Sequence, residues 1–418
     1  MNRRSLLTST LSLFNSVALI PLFGCNMTTR NIRSFGKTFT YLKDPEHRTR
    51  EMGNAPLLIE KAMFSGEQFD DQIWKNIRFV DCEFSGAYEI RLSGLQECRF
   101  ERCRFHDAVI GWGTAEQVTF FDCHVTGDSN IAGDVGSKDV RFESCNFQGP
   151  GSDPNQWGTI GTYGQTEFIK CSARWFSMFG FSRTSLRDCV VEEGEIRTDS
   201  DANSGPNFQR SDVLIESCKL RGTFDLVAAD LQSLTIRDTV LDHLDLTNAT
   251  IKDDLVIERV RGGAIQVGIK EAARAFSMKD SQIHGNGISV CYVYAGAFDS
   301  VLIERCIFGG DVTKPVIIAG GFDPDNKETQ PVMTRRLTLR DNRIPFLCSG
   351  YLNAGDVVIE GNTIESLDLQ KGRLDSLEIT GNTITRSVNF TGTQAKKSKV
   401  QHLAKGQAKL DGSNIQLN

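Results

Sequence analysis

The sequence has no excess of basic charge, no zinc-type cysteine pattern and no second long apolar run. Its 418 residues carry 47 Lys and Arg against 53 Asp and Glu, a formal charge of −6. That mild acidity argues against nucleic acid as a partner, because such partners select a basic stripe. No Cys-x-x-Cys pair and no Cys/His cluster at metal-ligand spacing is present, so neither a metal nor any other cofactor is expected. The histidines are few, and His106, His124, His243 and His284 lie far apart with no partner at a telling spacing. Past Leu22 no segment is long and apolar enough to span a bilayer.

What the chain does have is one six-residue phrase that returns about every twenty residues: apolar, two polar, small, any, apolar. It reads Phe79-Val80-Asp81-Cys82-Glu83-Phe84, then Phe100…Cys103…Phe105, Phe120…Cys123…Val125 and Phe142…Cys145…Phe147. Later copies are Ile215…Cys218…Leu220, Ile236…Thr239…Leu241, Ile303…Cys306…Phe308, Ile359…Asn362…Ile364 and Ile379…Asn382…Ile384. The small residue marks the repeat at Ala62, Cys82, Cys103, Cys123, Cys145, Cys171, Cys189, Cys218, Thr239, Val260, Ser281, Cys306, Asn342, Asn362 and Asn382, with most spacings 20 or 21. A fixed period of this length is the mark of a solenoid. A finer period of five runs through Phe64, Phe69, Trp74, Phe79 and Phe84, so each coil is expected to be square, built of short strands with one apolar side chain inward per side. The expected fold is all-β, a parallel β-helix of about fifteen coils of 20–21 residues spanning 57–390.

The inward small/large pairs Cys82/Phe84, Cys98/Phe100, Cys103/Phe105, Cys218/Leu220 and Leu377/Ile379 resemble the pentapeptide-repeat family, most cleanly over residues 60–110 and 355–390. The Glu-Gly-Asn-Thr-Ile phrase at 360–364 is also similar to the broader pectate-lyase-type β-helices. Either resemblance implies right-handed winding.

The two residues ahead of the small one should face solvent. They read Glu216, Arg237, Glu258, Lys279, Glu304, Arg340 and Glu360 in one column, and Asp188, Ser217, Asp238, Arg259, Asp280, Arg305 and Asp341 in the next. Neighbouring coils lie about 4.8 Å apart, so alternating signs form a checkerboard of opposite charges, a structural stripe rather than a one-sign binding face. Eight of the twelve cysteines (Cys82, Cys103, Cys123, Cys145, Cys171, Cys189, Cys218 and Cys306) fall in the inward small slot. A reduced ladder is expected there, since stacked parallel side chains suit disulfide geometry poorly. Asn342, Asn362 and Asn382 take the slot near the end, where amides stacked in register form a hydrogen-bonding ladder.

The first 24 residues read as a targeting segment. Arg3 and Arg4 precede an apolar run that ends in Leu22-Phe23-Gly24-Cys25, which resembles a bacterial lipoprotein signal. That resemblance implies lipidation of Cys25, membrane anchoring through the lipid, and outer-membrane placement facing the periplasm or the cell exterior. Asn2-Arg3-Arg4-Ser5-Leu6-Leu7 is also similar to a twin-arginine export signal, which carries folded proteins. Residues 25–56 are expected to link and cap the rod, and 391–418, with Lys396, Lys397, Lys399, Lys405 and Lys409, to form a polar basic extension.

Solenoids place function in insertions, and the long ones span 148–166, 192–210, 284–297 and 309–335. Candidate binding residues in or near them are Asp153, Trp157, Tyr163, Asp199, Asp201, Asp323 and Asp325, with Trp112 and Trp175 as aromatics outside the inward slots. Candidate acid pairs are Asp253/Asp254, Glu192/Glu193 and Asp323/Asp325, and no short signature of the β-helical polysaccharide-cleaving enzymes is present. No catalytic residue is therefore assigned. The expected function is an envelope-anchored rigid scaffold that binds an envelope or secreted protein. The alternative is recognition or cleavage of a polysaccharide.

Overall fold

In the computed structural model the repeat is an all-β parallel solenoid of about 13 turns, close to the number of coils expected. The structure describes residues 30–31, 37–403 and 405–417, except 66–68, 134–135, 152–157, 181, 194, 197–209, 227–229, 248, 270–272, 286–290, 295–297, 311–314 and 320–333.

Three ladders of parallel strands run along the rod, with a less regular fourth wall between the third and the first. The first ladder runs from Leu57–Glu60 through Ile77–Val80 and Arg99–Glu101 to Arg373–Thr380 and Gln394–Val400. It carries Ile59, Phe79, Phe100, Phe120 and Phe142 inward in one register. The second ladder carries Phe64, Phe84 and Phe105. Identical side chains at identical heights stack: Phe79–Phe100 and Phe100–Phe120 centroids are 4.7 and 4.6 Å apart, and Phe64–Phe84 and Phe84–Phe105 are 4.5 and 4.8 Å apart. These offset stacks add to the burial that drives the fold. The third ladder includes Asn130–Gly133, Gly158–Thr162 and Phe176–Gly180.

The corner between the first and second ladders is the most regular part of the molecule. Its turning residue has left-handed backbone in coil after coil: φ is 53° at Asp81, 51° at Arg102, 52° at Asp238, 50° at Arg259 and 53° at Asp341. Such a conformation costs a non-glycine residue on the order of 1 kcal/mol. It lets the chain turn in a single residue and drops the next one, the small residue, into the interior.

That interior slot has a bonding rule. The Thr239 hydroxyl accepts from the Cys218 amide (3.2 Å), and Ser281 accepts from the Val260 amide (3.1 Å). The Asn342 and Asn362 side-chain oxygens accept from the amides of Cys306 and Asn342, each at 2.8 Å. In the cysteine coils the thiol occupies the same buried interior position. Each thiol also donates back to a carbonyl of the previous coil, as Cys123 does to Phe100 (3.4 Å) and Cys145 to Phe120 (3.3 Å). The buried corner amides of Cys218, Val260, Cys306, Asn342 and Asn362 are thus each satisfied by the next coil's side chain. This explains why Cys, Thr, Ser and Asn interchange in the slot.

The two ends of the rod are closed in different ways. At the N-terminal end the cap is helical, with helices Lys37–Lys43 and Pro45–Met52. Asp44 caps the second by accepting from the His47 amide (2.8 Å), and Pro45 follows at a position that needs no N–H donor. Leu42 is fully buried, its carbonyl accepts from Trp74 Nε1 (3.3 Å), and Arg48 donates to the carbonyls of Lys75, Ala55 and Asn76. At the other end, the segment expected to be a basic extension from 391 is instead wall. Strand Gln394–Val400 pairs in parallel with Arg373–Thr380, burying Thr393, Ala395 and Val400. Lys396, Lys397 and Lys399 point outward from this last long strand, where lysines discourage pairing with another sheet edge.

Candidate binding face

The long insertions share one side of the rod. The corner between the first and second ladders carries none of them. Residues 152–157, 286–290 and 311–314 all fall between a second-ladder and a third-ladder strand, as between Asn146–Gln148 and Gly158–Thr162. Residues 197–209 and 320–333 fall between a third-ladder strand and the next first-ladder strand, as between Val316–Ala319 and Thr334–Arg340. Every one of these insertions flanks the third ladder.

Two of the expected aromatics lie on that side, in neighbouring coils. Trp175 is half-buried at the corner ahead of Phe176–Gly180, next along the axis to the wall at Gly149 from which 152–157 departs. Its Nε1 donates to Glu193 Oε2 (2.6 Å), and the Arg174 guanidinium lies 4.1 Å over its ring. Tyr163 closes the other edge of the same ladder, 46% exposed, with its ring edge-on to Phe179 at 5.8 Å.

Trp112 does not belong to this group. It is buried, with 3% exposure, stacks toward Phe120 at 6.4 Å and donates Nε1–H to Ser137 Oγ (3.2 Å). Gly133, one coil on, makes room for the indole: a Cβ there would lie 2.0 Å from its nitrogen. Trp112 is a core residue. Cys25, Asp153, Trp157, Asp199, Asp201, Asp323 and Asp325 lie outside the described residues.

The acid pairs that are described do not act together. Asp254 holds Arg274, whereas Asp253 accepts from Gln232 (2.6 Å). Glu192 pairs with Arg221 (2.7 Å), whereas Glu193 holds Trp175. Each carboxylate thus faces a different coil's partner.

The charged columns pair across coils. Arg102–Asp81, Arg259–Asp238 and Arg305–Asp280 meet at 2.7, 2.6 and 2.7 Å from consecutive left-handed corners. Arg237–Glu216 and Arg340–Glu360 do so at 2.8 and 3.1 Å in the adjoining column. The Arg259 and Arg305 guanidiniums hold the Asp238 and Asp280 carboxyls below the usual range. Exposed pairs of this kind contribute only about 0.2–1 kcal/mol each.

The cysteines of the interior ladder are all free thiols. Cys82, Cys103, Cys123, Cys145, Cys171, Cys189, Cys218 and Cys306 are buried and free, as are Cys98 and Cys291. Burial pushes the Cys98 thiol up to about 11 and Cys291 up to about 12. Asn342, Asn362 and Asn382 continue the ladder, with Asn342 Nδ2 donating to Asn362 Oδ1 and Asn362 Nδ2 to Asn382 Oδ1, each at 2.9 Å.

One further concavity was not foreseen. A groove of about 720 Å³ lies near the C-terminal end, at the corner between the third and first ladders, and is lined by Tyr351, Asn353, Lys371, Arg373, Asp375 and Lys396 among others. Lys396 neutralises Asp375 (2.7 Å), while Lys371 donates to the Tyr351 hydroxyl (3.1 Å) and lies over its ring. Repeat periodicity could not reveal it, because its lining comes from side chains outside the inward slots.

Among the described residues no group of three His, Cys, Asp or Glu is placed to hold a metal, and no helix is long and apolar enough to cross a membrane. No family model matches the chain, and no curated protein matches it.

Proposed function

We propose that this protein is an envelope lipoprotein, anchored through Cys25 at the outer membrane, whose rod is a rigid scaffold for an envelope or secreted protein. The observation that carries the reading is the confinement of every long insertion to the two corners beside the third ladder. A solenoid that tolerated insertions passively would scatter them, whereas one displaying them to a partner keeps them on one side. The paired charges of the opposite corner support it, since their chemistry is already committed within the wall. The test is in-cell crosslinking and pull-down of the full chain against a variant whose residues 320–333 are replaced by a short turn. A protein recovered in near-equal amount with the full chain, and lost with the variant, supports the scaffold. Equal recovery of the same proteins by both forms counts against it.

A second reading, polysaccharide recognition, is favoured by the groove at Tyr351, Lys371 and Arg373. Its aromatic ring, its cations and the Asn353 side chain are groups that hold an acidic sugar chain. Titration with acidic oligosaccharides, with Arg373→Ala as control, tests it. Binding that the substitution does not weaken would remove the groove from consideration.

We also infer that the coils at 60–110 and 355–390 belong to the pentapeptide type and wind right-handed. The inward pairs Cys82/Phe84, Cys98/Phe100, Cys103/Phe105 and Leu377/Ile379, all buried, support this.

A further inference from the structure

We propose that this chain folds in the cytoplasm and is exported already folded, through a translocase that recognises the Arg3-Arg4 pair, because its core can be built only from reduced cysteines.

The argument begins inside the rod. Seven consecutive coils place a cysteine in the same slot, from Cys82 to Cys218, and none of the eleven described cysteines is paired. Each slot thiol lies against two carbonyls, one in the coil before it and one two residues back: Cys145 meets Phe120 (3.3 Å) and Glu143 (3.5 Å). A disulfide between two slots would remove both thiol hydrogens and turn the sulfurs toward each other. The carbonyl bonds would be lost, and the parallel side chains would be pulled out of register. The folded wall and the oxidised slot exclude each other.

Order of events then matters. An unfolded chain entering an oxidising compartment presents all of these thiols before any coil has formed. Two thiols meeting a protein oxidant's disulfide become one disulfide, while two electrons and two protons pass to the oxidant, which leaves as a dithiol. Slots one coil apart are only 18 to 29 residues apart in sequence between Cys82 and Cys218, so short, fast loop closures would yield many wrong bridges. Folding before export removes the hazard, since the thiols are then buried. Arg3-Arg4 ahead of Ser5-Leu6-Leu7 supplies the matching signal.

The inference rests on the envelope reading, and the experiment separates the two. The full chain is expressed in a bacterial host with and without its twin-arginine translocase, with its own signal, with Arg3→Lys plus Arg4→Lys, and with a signal that threads unfolded chains. Location is read by fractionation, and free thiols are counted by alkylation in denaturant without reductant. The expected result is envelope location with all eleven described thiols free, lost both without the translocase and in the double-lysine variant. The threaded chain should arrive disulfide-linked or degraded. Replacing Cys103, Cys123, Cys145 and Cys171 by Thr, the residue at position 239, should improve its recovery. Export undiminished without the translocase, or a threaded wild-type chain with all its thiols free, would overturn the proposal and leave the envelope reading standing. A chain that stays in the cytoplasm of the complete host would overturn both. Protease resistance of the Thr-substituted chain held in the cytoplasm shows that it folds; a folded variant that threads no better than wild type would also sink the thiol argument.

Discussion

Val260→Thr should make the protein more stable, although burying a hydroxyl normally does the opposite. Val260 occupies the interior slot and is fully buried. On one side Thr239 accepts from Cys218 and donates to the Arg237 carbonyl (2.8 Å); on the other Ser281 accepts from Val260 and donates to Lys279 (2.8 Å). Valine between them offers the Thr239 amide no acceptor. A threonine hydroxyl at 260 would meet that amide and, by the same geometry, the Glu258 carbonyl. An unmet buried donor costs about 1–3 kcal/mol, and a made bond contributes about 0.5–1.5 kcal/mol. After the cost of desolvating the hydroxyl, a net gain of about 1 kcal/mol is expected. The control is Val301→Thr, the same chemical change at a first-ladder position with 1% exposure. No slot amide waits there, and a loss of about 1–2 kcal/mol is expected. Urea denaturation of both variants against wild type, followed by circular dichroism, gives the comparison. If Val260→Thr loses stability alongside Val301→Thr, the slot amides are not what the side chains serve, and the explanation of Cys, Thr, Ser and Asn in this column fails.

Other consequences are as direct. Asn362→Ala removes the acceptor of the Asn342 amide and side chain (2.8 and 2.9 Å) and the donor to Leu339 (2.8 Å); about 3 kcal/mol should be lost, with faster hydrogen exchange in the coils from 342 onward. Glu101 is held below the usual carboxylate range chiefly by its hydrogen bonds from Arg78 (2.8 and 2.6 Å). A depressed folded value stabilises above the unfolded pKa and fades as pH falls through the folded one. Glu101→Gln should therefore be less stable than wild type at neutral pH, with the gap in melting temperature closing below about pH 4. Alkylation of the native protein at mildly alkaline pH should reach half-buried Cys348 before any slot cysteine, read by peptide mass mapping; prior labelling of Cys145 would contradict the closed interior.

The ladders were legible because buried side chains in a solenoid repeat in register, so Phe79, Phe100 and Phe120 announce their own stacking. The corner was less so. The left-handed turn usually advertises itself through glycine, but here Asp, Ser, Lys and Arg hold it, and only Gly361 and Gly381 give the conventional sign. Trp112 misled because its burial depends on the absence of a side chain at Gly133, a relation between coils that no single coil displays. The residues after 390 read as a tail because their outward lysines outnumber a few small inward residues. The binding side became visible only once the insertions could be assigned to corners, which requires knowing which strand follows which ladder.

The uninterrupted corner has a consequence for anything that docks alongside it. Because it admits no extra residues, it works as a ruler: each coil advances by one strand spacing whatever length of chain leaves elsewhere. Residues 152–157 depart after the rung at Lys138–Glu143 and 197–209 after the rung at Arg183–Arg187, two rungs on. Their points of departure are therefore fixed at roughly 10 Å apart along the axis. The next departure, at 286–290, follows the rung at Ala273–Lys279, four rungs further and roughly 19 Å away. Lengthening or exchanging one of these segments would alter what is offered at one graduation and leave the distances to the others unchanged.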